Sequence, residues 1–248
     1  MKKVGIIGLG LIGGSIYKDL KALGYDVVSS RNYTELKDRD IIFVCTPMNK
    51  TLAVLDELEG IVRPETIVAD VCSLKEFVCQ KPRSYCFVPT HPMAGTEKKG
   101  FENSVEGLFK GAKWVVLADN SEIIEIIKAL GAIPVFTTAK AHDEAVAMIS
   151  HMPMVISQAL FLAASDNPLA LELASSGFRD MTRLALSNEE MAMDMVKMNS
   201  DNIQHAILKL YSAVGALMTN DYPELIADIK QKRGQWNQHN PDAKCQPQ

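Results

Sequence analysis

Val4-Gly5-Ile6-Ile7-Gly8-Leu9-Gly10-Leu11-Ile12-Gly13 decides the fold. Val4–Ile7 is a short apolar run of strand character. From Ile12 onward apolar residues recur at Ile16, Leu20 and Leu23, the spacing of one helix face. Between the two lies G-x-G-x-x-G, and each glycine has its own task. Gly8 permits a tight turn, Gly10 lets backbone approach a pyrophosphate, and Gly13 lets helix and strand pack closely. The helix start then turns its free N–H groups toward the phosphates. A glycine-rich turn without a ligand needs neither the strand before it nor the helix after it. Gly8, Leu9, Gly10, Leu11, Ile12 and Gly13 are therefore expected to cradle a dinucleotide.

Working outward, Gly24 closes the helix as a C-terminal cap and Asp26–Ser29 reads as a second strand. Ile41–Thr46 is apolar throughout, as expected of a strand covered on both faces. Further strands are expected at Thr66–Val71, Cys86–Pro89, Trp114–Leu117 and Val135–Thr137, with helices between them such as Glu122–Leu130. This alternation predicts an α/β chain opening with a Rossmann-type, doubly wound parallel sheet. Ser30 to Ile41 is too short for a helix and an extra strand, so Asn32–Arg39 must be a short connection and the sheet is trimmed there.

That trimmed region bears on the cofactor. An acid about 20 residues beyond the glycines would bind the 2′-hydroxyl of NAD. Ser29, Ser30 and Arg31 stand at the second strand's tip, and no acid does. A guanidinium and a serine hydroxyl suit a 2′-phosphate. Ser30 and Arg31 therefore predict NADP, with NAD as the alternative. Thr46 and Pro47, after the third strand, complete the expected cofactor set.

After Thr138 strand signals stop. Ala141 to Ala164 carries helical apolar spacing that Pro153 should kink. Ser187 with Glu190 reads as a capping box opening one long helix through Leu217, and a last helix starts near Pro223. The expected division is a dinucleotide-binding domain at 1–139, an all-helical C-terminal substrate and dimerisation domain at 140–236, and a polar, disordered tail at 237–248. The methionines of the helical part suit core packing, since flexible side chains fill irregular gaps. They suit equally a homodimer interface of intertwined helices.

Composition narrows the classes. A net charge of −4 speaks against a nucleic-acid binder. Five cysteines, an odd number with no C-x-x-C pair, speak against a disulfide framework or zinc site and for a cytoplasmic setting. Cys72, Cys79 and Cys86 are expected to be small buried hydrophobes. The basic start followed by apolar residues resembles a signal peptide, but the glycine fingerprint occupies the apolar run and no cleavage site follows. No apolar stretch reads as long enough to cross a bilayer, so no membrane partner is expected.

Four further segments carry chemistry. Asp70-Val71-Cys72-Ser73-Leu74-Lys75 and Thr90-His91-Pro92-Met93-Ala94-Gly95-Thr96-Glu97 each follow a strand, where open α/β sheets bind ligands. Ser150-His151-Met152-Pro153 and Ser176-Gly177-Phe178-Arg179-Asp180-Met181-Thr182-Arg183 lie in the helical part. In combination these resemble the prephenate/arogenate dehydrogenase family of tyrosine biosynthesis, over nearly the whole chain. Its stand-alone, cyanobacterial-like arogenate enzymes are the most similar in plan.

The resemblance implies an oxidative decarboxylation on a nicotinamide cofactor, without a metal. A ring hydroxyl loses its proton, its carbon gives up a hydride, and the ring carboxylate leaves as carbon dioxide. His91 would accept the proton, as neutral imidazole suits near pH 7. Ser73 would hydrogen-bond the hydroxyl or orient His91, and Arg183 would clamp a substrate carboxylate. His151 would face the cleft, Thr96 and Glu97 would line its mouth, and Asp180 would pair with a cation. Met154 stands where many prephenate-type members have a second histidine, which favours arogenate over prephenate.

Several residues read otherwise. His142 and His151 are nine apart, half a turn out of phase on a regular helix, so they are expected to face opposite sides, with His142-Asp143 a helix-start feature. A hydroxyacid or imine reductase of the same plan would want a lysine on the first long helix, which offers only Lys140. A nucleotide-binding sensor without catalysis is the reading from another class.

Overall fold

The computed structural model describes residues 2–96, 98–219 and 222–239. By contacts the chain forms two compact units, residues 1–203 and 204–248. The expected boundary at 139/140 falls inside the first.

The first unit is built on seven strands: β1 (Lys3–Ile7), β2 (Asp26–Ser29), β3 (Ile41–Val44), β4 (Ile67–Asp70), β5 (Cys86–Pro92), β6 (Lys113–Val116) and β7 (Ile133–Phe136), in spatial order β2-β1-β3-β4-β5-β6-β7. From β2 to β5 all pairings are parallel. β6 runs antiparallel to β5, and β7 is parallel to β6. The expected doubly wound parallel sheet is present, with one antiparallel pairing at β5–β6. Pairing with β6 extends β5 beyond Pro89 to Pro92, so His91 lies within a strand, opposite Val115.

Strand periodicity splits the core into two layers. Ile41 and Phe43 of β3 join Val4, Ile6, Val88 and Trp114 on one face. There they meet Ile16 and Leu20 of α1 (Leu11–Ala22) and Ile123, Ile126 and Ile127 of α3 (Ser121–Ala129). Ile42 and Val44 point the other way, to Val54 and Leu55 of α2 (Met48–Glu57) and to Val146, Met154 and Met195. Alternate residues thus serve opposite layers, and each fully buried side chain of this kind contributes ~1.5–3 kcal/mol. Between β2 and β3 the trimmed connection is a 3-10 turn, Tyr33–Leu36, anchored by buried Leu36.

The helices after β7 cover the second face. α4 (Ala139–Val146) runs through a π-helical turn (Ala147–His151) into α5 (Met152–Ser165). Pro153 sits in the first turn of α5, directly after the π turn. The run Ala139–Ser165 is long and apolar enough, at mean hydropathy 1.6, to cross a membrane by length and composition. That corrects the expectation that no stretch is. Buried His142, Asp143 and His151 lie along it.

α6 (Pro168–Glu172), α7 (Ser176–Thr182) and α8 (Glu189–Met198) follow, with a 3-10 turn at Arg183–Leu186. The capping box is corrected by one residue: Asn188, not Ser187, caps α8, accepting from the Met191 N–H. The expected single helix is two, α8 and α9 (Ser200–Thr219), broken at Asn199. Met152, Met154 and Met195 are buried while Met181 and Met193 are exposed.

In the second unit, the rest of α9 exposes Leu208, Tyr211, Val214 and Met218 at helical spacing. α10 (Tyr222–His239) exposes Tyr222, Ile229 and Trp236 seven residues apart. Helix therefore replaces the expected tail as far as His239, and the rest of the tail lies outside the described residues. Cys72 is buried, but Cys79 and Cys86 are exposed, against expectation.

Candidate active site

The turn from β1 into α1 has the shape its glycines require. Gly8 has φ +97°, and a Cβ there would lie 2.5 Å from the Cys45 carbonyl oxygen. A Cβ on Gly13 would lie 2.0 Å from the Gly8 carbonyl oxygen, so helix and strand touch through a missing side chain. A Cβ on Gly10 would meet nothing within 4 Å. Gly10 caps α1 with no side chain across its end. The first-turn N–H groups of Leu11, Ile12 and Gly13 thus have no capping side chain, and the approach at Gly10 is open, which fits a dinucleotide pyrophosphate. Thr46 and Pro47 lie beyond β3, where Thr51 Oγ1 holds both their carbonyl oxygens.

At the tip of β2, Arg31 is exposed and, among the described residues, in no ion pair. Ser30 is engaged: its hydroxyl donates to Glu35 Oε2 at 2.7 Å. The expectation that no acid stands at this tip is corrected. The 3-10 turn folds Glu35 back onto it.

A buried polar cluster lies at the carboxyl ends of β4 and β5. Asp70, wholly buried, ion-pairs with wholly buried Lys75 and accepts from the N–H groups of Cys72 and Thr90. Lys75 Nζ also donates to the Thr90 carbonyl oxygen, which braces the chain leading into His91. From the helical side, Asp143 accepts from the Lys75 and Glu76 N–H groups at 2.8 and 2.9 Å. Asp143 Oδ1 also receives His142 Nδ1 at 2.7 Å, and His142 Nε2 lies 2.9 Å from His91 Nδ1.

These contacts fix protons. A carboxylate only accepts, so His142 carries its hydrogen on Nδ1 and a lone pair on Nε2. His91 then donates from Nδ1 and keeps a lone pair on Nε2. Burial, the Lys75 ammonium and the neighbouring imidazoles hold the His91 pKa well below the ordinary 6.5. His91 is therefore a neutral imidazole at neutral pH, part-buried, with an unprotonated nitrogen left over.

His151 joins the same cluster. Asn199 Nδ2 donates to His151 Nδ1 at 3.1 Å and to the Asp143 carbonyl oxygen at 3.0 Å. Asn202 Nδ2 fixes that amide by donating to Asn199 Oδ1. His151 accepts at Nδ1 and so carries its hydrogen on Nε2. Burial lowers its pKa to about 4. The expectation that His142 and His151 face opposite sides is overturned, because the π turn between them closes i→i+5 rings and changes the phase of all that follows. His142 and Asp143 are likewise more than a helix start: both are buried, and His142 meets His91 of β5. Among the described residues no three metal-ligating side chains group to hold an ion.

The other expected residues scatter more. Ser73 Oγ bonds Met48 Sδ at 3.6 Å, not His91, so the orienting partner of His91 is His142. Arg183 is exposed and, among the described residues, in no ion pair, so its guanidinium is available. Its neighbour Leu184 packs against the apolar cluster holding Met48, Cys72, Met93 and Met154. Met154 itself is buried there. Asp180 is exposed. Thr96 is exposed and caps its own turn, accepting from the Lys98 N–H. Glu97 lies outside the described residues.

Two family models match: the nucleotide-binding domain of prephenate dehydrogenase over residues 12–155, and its dimerization domain over residues 138–231. Prephenate dehydrogenase of Lactococcus lactis subsp. cremoris is 28% identical, over 85% of this chain and 72% of that protein. Cyclohexadienyl dehydrogenase of Zymomonas mobilis is 25% identical, over 94% of each. The crystal structure of Synechocystis arogenate dehydrogenase superposes at TM-score 0.82 with 30% identity, over 96% of this chain and 99% of that one. With a dinucleotide cradle and a neutral imidazole held at the end of β5, the chain belongs to the prephenate dehydrogenase family, the nicotinamide-dependent oxidoreductases of tyrosine biosynthesis.

Proposed function

We propose that this chain converts arogenate to tyrosine with NADP as cofactor. The observation that carries the reading is the chain Asp143–His142–His91, which leaves His91 Nε2 as a buried-side proton acceptor. Bound in the β1–α1 cradle, the dinucleotide supplies a hydride acceptor. His91 Nε2 takes the proton of the ring hydroxyl as the carbon bearing it gives up its hydride. The ring then loses its carboxylate as carbon dioxide, and the same proton returns to the phenolic oxygen. While His91 is positive, its Nδ1 proton leans on His142 and the charge is answered by Asp143. Arg183 supplies a cation for a substrate carboxylate and His151 Nε2–H a donor.

The substrate half of the proposal rests on Met154, a thioether among apolar neighbours, and on the likeness to an arogenate dehydrogenase. Prephenate giving 4-hydroxyphenylpyruvate is the second reading, favoured by the Lactococcus and Bacillus subtilis relatives. Arg31, exposed at the tip of β2, supports NADP. In this proposal residues 1–139 bind the dinucleotide, and the helices of 140–236 complete the substrate site. A homodimer forms through those helices, supported by their exposed apolar stripes and the matching dimerization model.

The test is reduction of NADP and NAD with arogenate and with prephenate, by the native chain and by His91→Asn and Arg183→Ala. Faster turnover of arogenate with NADP, abolished in His91→Asn, is the expected result. Dinucleotide binding with no turnover of either substrate would leave only the sensor reading.

A further inference from the structure

In an open α/β sheet the loop beyond β2 reads the adenosine ribose. An acid there pairs with ribose hydroxyls, and a cation meets a 2′-phosphate. This chain holds both. Arg31 is the cation, exposed beside Ser30. The acid is Glu35, six residues past Ser29, brought back by the 3-10 turn Tyr33–Leu36.

The turn is well fixed. Asn32 Oδ1 caps it, accepting from Thr34 N at 3.2 Å and Thr34 Oγ1 at 2.7 Å. Leu36 is wholly buried at its far end. Glu35 Oε2 receives the Ser30 hydroxyl at 2.7 Å, and Oε1 lies 3.4 Å from Asn32 Nδ2. Ser30 Oγ in turn accepts from the Asn32 N–H at 2.9 Å. The serine's one donor is therefore taken: its O–H donates to Glu35, and one of its two lone pairs accepts from the Asn32 N–H.

A 2′-phosphate seated on Ser30 and Arg31 would have to turn that hydroxyl away from Glu35 and lie close to a carboxylate. Like charges at such separation repel strongly near a protein surface. A free 2′-hydroxyl meets no such penalty, because it can donate to the carboxylate.

We infer that Glu35 is the residue that reads the ribose and restrains the preference for NADP, so that the chain accepts both dinucleotides. The inference rests on the reading of the glycine turn as a dinucleotide cradle. Arg31 draws the 2′-phosphate in and Glu35 opposes it. Substituting Glu35 therefore shifts the choice in a known direction.

The experiment is titration calorimetry with ADP-ribose and with 2′-phospho-ADP-ribose, which carry the recognised half of the cofactor and undergo no reaction. The native chain is compared with Glu35→Gln and Arg31→Ala. Glu35 is exposed, so Glu35→Gln is expected to fold as the native chain does. Glu35→Gln should bind 2′-phospho-ADP-ribose about tenfold more tightly, while ADP-ribose affinity stays the same or weakens. Arg31→Ala should weaken only the phosphorylated ligand. An unchanged ratio of the two affinities in Glu35→Gln overturns the role of Glu35 and leaves the cradle standing. Binding of ADP-ribose alone by all three proteins removes the Arg31 half and the inference with it. Failure of the native chain to bind either ligand overturns the cradle itself.

Discussion

His91 Nδ1 lies 2.9 Å from His142 Nε2, and this contact joins a strand of the sheet to a helix 51 residues later in the chain. Its polarity is set elsewhere, by the carboxylate of Asp143 on the far side of His142. Replacing His142 with leucine removes the acceptor and leaves His91 free to change tautomer. The expected loss in kcat is on the order of tenfold to a hundredfold, short of the ~10²–10⁴ that a positioned proton acceptor contributes. KM should change little. Nitrogen-15 NMR of the imidazoles should show His91 losing its Nδ1-protonated form. The acid limb of kcat/KM in the native enzyme should fall below pH 6.5, since the His91 pKa is lowered from there. Full activity in His142→Leu with an unchanged His91 tautomer would count against the relay.

Asn199 gives a second prediction. It is nearly buried, and its amide donates to two acceptors at once, His151 Nδ1 and the Asp143 carbonyl oxygen. Asn199→Ala leaves His151 Nδ1 without a donor in a buried setting, which costs about 1–3 kcal/mol, while the Asp143 carbonyl oxygen keeps the Ala147 N–H. Urea unfolding should show a loss in that range. The surviving folded fraction should also bind substrate more weakly, because His151 is no longer held. Native-like stability in Asn199→Ala would mean that water replaces the amide.

What the sequence showed and what it hid follow from range. The glycine turn was legible because its three glycines act within six residues, and the strands because alternate residues of each face opposite layers. His91 was legible through its neighbours in the chain. The relay was not. A π turn between His142 and His151 leaves no mark in apolar spacing, so a regular helix placed them on opposite sides. Asn199 was hidden within one continuous helical pattern, although a break there is what aims its amide. Glu35 is hidden because it stands six residues beyond Ser29 and returns to the strand tip only through the 3-10 turn.

Acid should destabilise the fold through His151. Its pKa in the folded chain is about 4, below the ordinary 6.5. Between these values the unfolded chain holds a proton that the folded chain refuses. Stability is therefore full above about pH 6.5, falls as the pH drops toward 4, and loses nothing further from this group below that. A lowering of that size corresponds to about 3 kcal/mol. His91, lowered in the same direction, adds to the loss. Urea midpoints at pH 7 and pH 5 should differ more in the native chain than in His151→Gln, which has no proton to take up. Equal differences would show that His151 is not buried neutral.

The two inner glycines of the cradle should fail in different ways. Gly10 has φ −93°, which any residue adopts, and a Cβ there meets nothing within 4 Å. Gly10→Ala should fold with a Tm close to that of the native chain, yet its methyl group occupies the approach to the α1 N-terminus. ADP-ribose binding should weaken by on the order of tenfold or more, as backbone N–H groups lose their reach. A Cβ on Gly13 would lie 2.0 Å from the Gly8 carbonyl oxygen and 2.8 Å from Cys45 Cβ. Neither neighbour is the far end of a flexible side chain, so α1 must move off the sheet. Gly13→Ala should lose about 1–3 kcal/mol of stability from overpacking, and weaken ADP-ribose binding as a consequence of the displaced helix. Thermal unfolding and calorimetry on the two variants separate the roles. A Gly10→Ala protein that binds ADP-ribose as well as the native chain would place the pyrophosphate somewhere other than this turn.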